Sequence, residues 1–211
     1  LPNGGVHRFS DSLIIGENFD TNAALAAAGI SSTSVGPSLN IDAGTTVTFA
    51  NPGDVLVVSR GAQINVGGLP TAPVIITSQI DIDSQREVAN GGPGFQAYNA
   101  TQQWGGIVIH GFGVINDCVY SGSVATNDLA LTGECSLPTP TGFGHFGGGD
   151  NTDSSGSIDY LQIKHSGTVF GDEGIGALAL GAVGSGTLIS NVQVYSAFGD
   201  SFQLVGGAVD L

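Results

Sequence analysis

Short strand-like segments fill most of this sequence and limit it to a small set of all-β folds. About ten such segments are rich in β-branched and aromatic residues and are separated by Gly, Pro, Asn or Asp. Hairpin dipeptides such as Asn-Gly and Asp-Gly are missing between most neighbouring segments. Between Thr46 and Thr77 the segments recur every eight to eleven residues. This spacing predicts a chain that turns corners around a coil, with each strand pairing with its equivalent one coil later.

An internal repeat in the second half of the chain supports the coil. The segment YLQIKHSG (Tyr160–Gly167) aligns with NVQVYSAFG (Asn191–Gly199), so that Gln162 and Gln193 occupy the same position. In both segments one apolar residue in two would point inward, as a β-helix with a filled interior requires. We therefore predict an all-β fold, a right-handed parallel β-helix over residues 41–211. A jelly roll is the alternative.

The N-terminal part is predicted to close one end of this β-helix. Residues 1–40 form the cap region, and DTNAALAAAGI (Asp20–Ile30) is the one segment that is typical of a helix, with Asp20 or Thr21 as N-cap and Gly29 at its end. At the other end, SFQLVGGAVDL stops in a strand-like run. Because an open end exposes unpaired strand edges, we expect a truncated or processed chain, or a second polypeptide or C-terminal fragment that covers the last coil. A short frayed tail is the alternative.

Charge decides which partners are excluded. The 211 residues carry four Lys and Arg against 18 Asp and Glu, a formal net charge of -14, although only 10% of the residues are charged. Such a surface repels nucleic acid and attracts multivalent cations. No apolar run approaches the roughly 20 residues of a membrane helix, so no transmembrane segment is predicted.

Two cysteines, Cys118 and Cys135, lie in one stretch rich in Gly, Ser and Thr. A disulfide between them would close a loop of under twenty residues and would stabilise the fold by about 3 kcal/mol. No further Cys or His stands nearby at zinc-finger spacing. The pattern favours the disulfide, and with it an oxidising compartment, over two separate buried thiols.

The order of several motifs resembles a group of bacterial exported β-helix proteins, often lipoprotein-like or surface proteins. The matching pieces are WGGIVIHGFGVIND from Trp104 onward, the Cys118 and Cys135 pair, GGGDNTDSSGSIDYLQIKHSG, and LALGAVGSGTLISNVQVYSAFGDSFQLVGG. Together they cover about half of the chain. The resemblance implies the fold and a secreted, periplasmic or cell-surface location in a bacterium, and it implies no particular activity.

Acidic and amide side chains on glycine-rich turns predict a calcium site. Ca²⁺ takes six to eight oxygens from carboxylates, amides and backbone carbonyls, and GGGDNTDSSG offers three such side chains within four positions. The predicted ligands come from two turns: Asp150, Asn151, Asp153, Asp172 and Glu173. Asp200 is expected on the same flank if these turns close successive coils. A solvated acidic turn is the alternative.

Catalysis on acidic glycans is the alternative function. Asp153, Asp172 and Asp200 are the candidate carboxylates of a polysaccharide hydrolase, whose acid and base stand about 6.5–9.5 Å apart when the enzyme inverts. Polygalacturonases carry similar motifs, but here their order differs and QIK lacks the arginine that holds the substrate. Pectate-lyase-type elimination needs a Lys or Arg base, and Lys164 is predicted to point outward because Ile163 points inward. Nothing in the sequence requires an enzyme.

Two further features suggest binding surfaces. Trp104 would stack on a sugar ring if it were exposed, and a filler inside a corner of the coil is the alternative. The T-x-T pair at Thr46 and Thr48 suggests an ice-binding solenoid, but the pair is isolated. The function that we favour is an exported, non-catalytic structural or binding module at the bacterial surface, stabilised by Ca²⁺ and in contact with a polysaccharide.

Overall fold

A computed structural model describes residues 1–19, 21–94, 99–115, 135–139, 142–170 and 173–211. These residues form strands β1 (Val6–Phe9), β2 (Leu13–Ile15), β3 (Ser38–Asp42), β4 (Thr46–Phe49), β5 (Val55–Val58), β6 (Gln63–Gly67), β7 (Val74–Ser78), β8 (Gly106–His110), β9 (Cys135–Thr139), β10 (Gly142–Phe146), β11 (Gly156–Lys164), β12 (Thr168–Phe170), β13 (Glu173–Ile175), β14 (Leu178–Gly181), β15 (Leu188–Tyr195) and β16 (Phe202–Val205). The helices are α1 (Asn22–Ala27) and α2 (Gln79–Ala89).

Parallel strands stack in three sheets, with one strand per coil in each. Sheet I contains β3, β6 and the first parts of β11 and β15, and sheet II contains β1, β4, β7 and the second parts of β11 and β15. Sheet III contains β2, β5, β8, β14 and β16. The long strands bend between the sheets at Tyr160 and Asn191, whose φ angles are 48° and 53°. The predicted all-β, β-helical class is confirmed.

Inward-pointing side chains form ladders that run from coil to coil. One ladder in sheet I consists of four buried residues in direct register: Ile41, Val66, Ile158 and Ile189. An aromatic stack fills another part of the interior, where the Phe9 and Trp104 rings lie 5.7 and 5.1 Å from the Phe49 ring between them. Each fully buried apolar side chain stabilises the fold by about 1.5–3 kcal/mol. The repeated ladders therefore hold the coils together.

The first coil begins inside the region that was predicted to be a cap. β1 and β2 pair in parallel with β4 and β5, so stacked strands are already present from Val6, within the predicted cap region. The residues between β2 and β3, which include α1, interrupt the regular spacing from which the later coils were predicted. For this reason the strand spacing in the sequence did not indicate the first coil.

Helix α1 lies within the predicted segment but is shorter. Thr21 is its N-cap, with Oγ1 accepting a hydrogen bond of 3.1 Å from the backbone N–H of Ala24. The chain leaves the helix through Gly29, which has a left-handed φ of 75°. Leu25 is buried. The capping role of α1 stays a prediction.

Helix α2 contradicts the expectation of a single helix. It starts directly after β7, where the Ser78 hydroxyl accepts a hydrogen bond of 3.0 Å from the N–H of Asp81. The side chains that α2 buries are Asp81 and Ser84, whereas Ile80 and Val88 are 42% and 55% exposed. A helix that buries polar residues lacks the apolar stripe by which helices are found in a sequence. The prediction failed at α2 for this reason.

Two antiparallel hairpins, β9–β10 and β12–β13, lie outside the parallel ladders. Phe146 of β10 and Ile175 of β13 are buried together with Val55, Val57 and Val108. Those valines alternate with the inward-pointing residues of β5 and β8 and therefore face outward. The hairpins thus cover the outer face of sheet III.

Two other predictions concern a membrane-spanning segment and the disulfide. In the part of the chain that the structure describes, no helix is long and apolar enough to cross a membrane. Cys118 lies outside the described residues, and only the backbone of Cys135 is described. The disulfide stays a prediction.

Candidate functional site

A groove with a volume of about 570 Å³ lies between α2 and the outer face of sheet II. We call it the α2 groove. Helix α2 and the strand ends of sheet II supply its walls: Asp81, Ser84, Gln85, Val88, Gln162, Lys164, His165, Gln193 and Tyr195. Grooves that combine polar groups with an aromatic ring are common ligand sites in proteins.

Strand alternation and register build the sheet wall of the α2 groove. Ile163 is fully buried, so Gln162 and Lys164 on either side of it face outward, as predicted for Lys164. Because β15 pairs in parallel with β11, Gln193 lies beside Gln162 and Tyr195 beside Lys164. The repeat that aligned the two glutamines in the sequence is therefore confirmed. It places two amides next to each other on the outer face.

A partly buried ion pair joins α2 to sheet II. Lys164 Nζ lies 2.7 Å from Asp81 Oδ2, and the two side chains are 20% and 5% exposed. Asp81 also accepts hydrogen bonds of 2.8 Å from Thr77 Oγ1 and Gln85 Nε2. Burial by itself would raise the pKa of Asp81, but the hydrogen bonds from Lys164, Gln85 and Thr77 outweigh it and lower the pKa below its usual value. The carboxylate is ionised at neutral pH.

His165 lies beside this ion pair and supports the Tyr195 ring. Its Nδ1 is 2.6 Å from the carbonyl oxygen of Ala100, which can only accept, so Nδ1 carries a proton. Its Nε2 is 3.8 Å from Asp81 Oδ1, and its ring meets the Tyr195 ring edge-on with centroids 5.5 Å apart. The backbone of His165 is left-handed, with φ of 58°, a conformation that costs roughly 1–2 kcal/mol. Packing therefore holds both rings in a defined position.

The four positive side chains of the protein are all engaged by other protein groups. Three of them pair with carboxylates of α2. Lys164 pairs with Asp81. Arg8 and Arg86 both pair with Asp83, at 2.9 and 3.1 Å. The fourth, Arg60, donates hydrogen bonds to the backbone carbonyls of Gly147 and Phe19. Lys164 and Arg8 thus join α2 to sheet II, whereas the pair of Arg86 with Asp83 lies within the helix.

The turn that predicts calcium binding is present, but N–H groups occupy several of its oxygens. Asp150 Oδ1 accepts from the backbone N–H and the hydroxyl two residues later, at 2.9 and 2.7 Å. Asn151 Oδ1 accepts from Val114 N–H at 2.8 Å, and Asp153 Oδ2 from Phe112 N–H at 3.2 Å. Among the described residues no three His, Cys, Asp or Glu side chains are grouped as metal ligands. The calcium site stays a prediction.

Asp153 is the buried carboxyl of this turn. It is 4% exposed, and its Oδ1 packs so close to Gly184 that a Cβ atom there would lie 2.1 Å away. Burial is the main reason why the pKa of Asp153 rises to about 6. The Phe112 N–H opposes the rise, and the Asp150 carboxylate adds to it. The pKa of Asp153 therefore lies well above that of an ordinary aspartate.

Two of the candidate hydrolase carboxylates, Asp153 and Asp200, belong to turns at different ends of β14. The carbonyl of Asp200 accepts from Ala177 N–H just before β14, whereas Asp153 packs against Gly184 just after β14. These two turns thus lie at opposite ends of β14, and the turns before and after a strand look alike in the sequence. Asp172 lies outside the described residues, and the side chain of Glu173 is not described.

Two predicted surface features turn out to be buried. Trp104 is 0% exposed and stacks on Phe49, and its Nε1 donates a hydrogen bond of 2.7 Å to the carbonyl of Lys164. It is the corner filler, and it cannot stack on a sugar. Thr48 of the T-x-T pair and its register partner Thr77 are also fully buried. Thr46 is partly exposed but pairs with Ile75, so the pair does not continue as an exposed threonine row.

The residues that line the α2 groove, among them Asp81, Gln162, Gln193 and Tyr195, were not selected from the sequence as site residues. The repeat that aligned the glutamines was the available signal, because identical residues in the same outward phase of paired strands form a surface row. Asp81 carried no such signal, since its position depends on how α2 docks.

Comparison with known proteins agrees with this architecture. A family model described as a pectate-lyase-like β-helix domain matches residues 18–211. Neither the curated proteins nor the solved structures with which the sequence was compared gave a match. The matched residues include α2, the coils after the first one and the whole α2 groove. The chain therefore belongs to the family of pectate-lyase-like β-helix domains.

Proposed function

We propose that this protein is a glycan-binding β-helix module and that its binding site is the α2 groove. The observation that carries the proposal is the row formed by Gln162, Gln193 and Tyr195 along the sheet wall of the groove. Family membership supports a role that involves glycans. The module needs no catalytic step for this role.

The chemistry of the row suits a sugar. Sugar hydroxyls both donate and accept hydrogen bonds, and each glutamine amide offers two donors and one acceptor oxygen. Sugar rings also carry an apolar C–H face, which packs against an aromatic ring. Tyr195 is 40% exposed and provides such a ring. Amides beside an aromatic ring therefore match both faces of a pyranose.

The walls of the groove are preorganised. Gln162 and Gln193 stand on strands that are paired with each other, and His165 packs against Tyr195. Two ion pairs, Lys164–Asp81 and Arg8–Asp83, hold the opposite wall on α2. A site whose side chains are already ordered loses less conformational entropy when a ligand binds.

Binding without cleavage is favoured by the charges of the groove. A lyase base must reach the proton that it removes from the substrate, whereas the Lys164 side chain is engaged by the Asp81 carboxylate at 2.7 Å. Glycoside hydrolysis uses two carboxyl groups, and Asp81 is the one carboxylate among the described residues that line the groove. Release of reducing ends or unsaturated products from a glycan by the purified protein would contradict this part of the proposal.

Location, partners and handedness extend the proposal. We propose an exported protein at the bacterial surface, for which the scarcity of lysine and the cysteine pair are the support. The coils are proposed to be right-handed because nearly all parallel crossover connections are. The last coil, formed by β15 and β16, is proposed to pair with a further polypeptide segment, since exposed strand edges favour pairing.

Calorimetric titration against a panel of soluble glycans tests the proposed site. We expect Tyr195→Ala and Gln162→Ala each to weaken the binding of a panel hit about tenfold, the equivalent of about 1.4 kcal/mol. Matched controls are Phe198→Ala, because Phe198 is also 40% exposed but lies outside the groove, and Gln63→Ala on sheet I. Equal loss in variants and controls, or no glycan bound by the wild type, would refute the proposal.

A further inference from the structure

A second depression adjoins the α2 groove on the outer face of β11 and β15. Its volume is about 320 Å³. It is lined by residues of the bend between sheets I and II and of the segment before β7: Pro70, Pro73, Tyr160, Gln162, Asn191, Val192 and Gln193. Gln162 and Gln193 line both this depression and the α2 groove. The amide pair is therefore the border between two neighbouring pockets. In this subsection we call the α2 groove the helix pocket and the second depression the bend pocket.

The two pockets follow the direction of the strands. Along β11, Tyr160 lies in the bend pocket, Gln162 at the border and Lys164 in the helix pocket. Four residues of strand span about 13 Å. Each pocket offers a tyrosine, Tyr160 on one side and Tyr195 on the other. A linear ligand that is longer than one ring unit fits this layout.

The charges of the pockets select against an acidic ligand. Among the described residues no charged side chain lines the bend pocket, and the two opposite charges in the helix pocket, Asp81 and Lys164, are paired with each other. The remaining Lys and Arg side chains are engaged elsewhere, so none stands ready for a sugar carboxylate. The net charge of -14 also repels polyanions over a distance.

We propose that the ligand of this site is a neutral linear oligosaccharide that spans both pockets, with ring units on either side of the Gln162–Gln193 pair. The inference rests on the proposed glycan-binding function and names the substrate class of that site. Hydroxyl groups at the border hydrogen-bond to the two amides. Ring faces pack on Tyr195 in the helix pocket and on Tyr160 and Pro70 in the bend pocket.

Calorimetric titration with two ligand series tests the proposal. One series holds neutral oligosaccharides (gluco-, xylo- and manno-linked) from disaccharide to hexasaccharide, and the other holds galacturonate oligomers of the same lengths. We expect affinity for one neutral series to rise at least tenfold with length and then to level off when both pockets are filled. Binding should not change between low and high NaCl, because no ionic contact is formed.

Variants on the two sides of the border locate the ligand. Tyr160→Ala should lower the affinity for the long oligosaccharide about tenfold and leave the disaccharide affinity unchanged. Tyr195→Ala should lower both. Because Tyr160 lies at a strand bend, Pro70→Ala serves as a second bend-pocket variant on an exposed loop, with an expected loss of a few-fold. A thermal melt of each variant shows whether it is folded.

The possible failures are distinguishable. Galacturonate oligomers that bind more tightly than every neutral series, with loss in Tyr195→Ala, would overturn the inference and leave the proposed function in place. Affinity that is independent of ligand length, or unaffected by both bend-pocket variants, would also overturn the inference alone. Absence of binding by either series would overturn the inference and the proposed function together.

Discussion

The outer faces of sheets II and III start from similar parallel strands and become different surfaces. On sheet III the outward residues Val57 and Val108 are covered by hairpin residues such as Phe146, so a second apolar cluster forms there. On sheet II the outward residues of β11 are Gln162 and Lys164, and α2 covers the sheet only in part. One face is closed by insertions, and the other keeps a groove.

The closed face of sheet III contains a buried histidine. His110 is 1% exposed, packs almost parallel to the Phe146 ring at 5.8 Å, and has no hydrogen-bond partner at either ring nitrogen among the described residues. Burial, followed by the charges of Arg60 and His145, lowers the pKa of His110 to about 3. A neutral imidazole therefore acts here as part of an apolar layer, whereas the polar groups of sheet II line a cavity.

The difference between the two faces is the basis for placing the proposed binding site on sheet II. Inward ladders are alike in all sheets, because every coil must fill the same interior. Outward residues and the insertions above them are free to differ. An apolar row under a hairpin adds stability, and a row of amides beside a docked helix makes a site. The predictions below test this division, beginning with the largest expected effect.

Removing the hairpin side chain that closes sheet III should destabilise the protein most. Phe146→Ala deletes a fully buried ring, and we expect a loss of about 3–5 kcal/mol in the free energy of unfolding, measured by urea denaturation. Phe198→Ala, at a half-exposed ring, should cost no more than about 1 kcal/mol. Glycan affinity of the folded fraction should be unchanged in both. Equal losses would mean that the outer face of sheet III is not a second core.

Breaking the ion pair beneath the α2 groove should have an intermediate effect. Lys164→Met leaves the carboxylate of Asp81 buried without its charged partner, and we expect a loss of about 1.5–3 kcal/mol together with weaker glycan binding. Arg86→Met is the matched control, because its pair with Asp83 is 66% and 36% exposed and should contribute about 0.5 kcal/mol or less. A Lys164→Met protein as stable as the control would show that α2 docks without this pair.

A fall in pH should change the contributions of His110 and Asp153 to the free energy of unfolding in opposite directions. The depressed pKa of His110 means that the unfolded chain binds more protons between pH 6.5 and about 3, so this residue makes stability fall as the pH falls. The raised pKa of Asp153 means that the folded chain binds more protons between about pH 6 and 3.8, so this residue makes stability rise as the pH falls. The two contributions partly cancel in the wild type.

Single variants should separate these contributions. The quantity to compare is the change in the free energy of unfolding between pH 7 and pH 5. Relative to the change in the wild type, we expect this change to be about 1–2 kcal/mol more favourable in His110→Leu and less favourable by a similar amount in Asp153→Asn. Urea denaturation at both pH values measures the effect. Parallel pH profiles for the wild type and both variants would contradict the assigned shifts.

Calcium should have the smallest effect, at the loop beside sheet III. If the predicted site binds, Ca²⁺ at ten times its dissociation constant raises the free energy of unfolding by about 1.4 kcal/mol. We expect a chelator to lower the melting temperature of the wild type and to leave Asp150→Asn unchanged, with Mg²⁺ as the ionic control. If the chelator leaves the melting temperature of the wild type unchanged, the predicted calcium site is contradicted.

The sequence alone was sufficient for the local rules of this fold. Alternation of apolar residues and the spacing of turns predicted parallel coils, and the repeat predicted that Gln162 and Gln193 stand side by side. These features depend on neighbours along one strand or on the equivalent strand one coil later. Such contacts repeat, and repetition is visible in a sequence.

Tertiary structure alone decided what covers each outer face. The docking of α2 depends on a lysine of β11 that meets Asp81 from 83 positions away, and no local pattern records such a pair. Burial of Trp104 and the separation of Asp153 from Asp200 likewise depend on which end of a strand each turn occupies. Side-chain alternation specifies inside and outside, but the elements that lie on the outside are selected by unique long-range contacts. The groove therefore emerges only when the chain is folded.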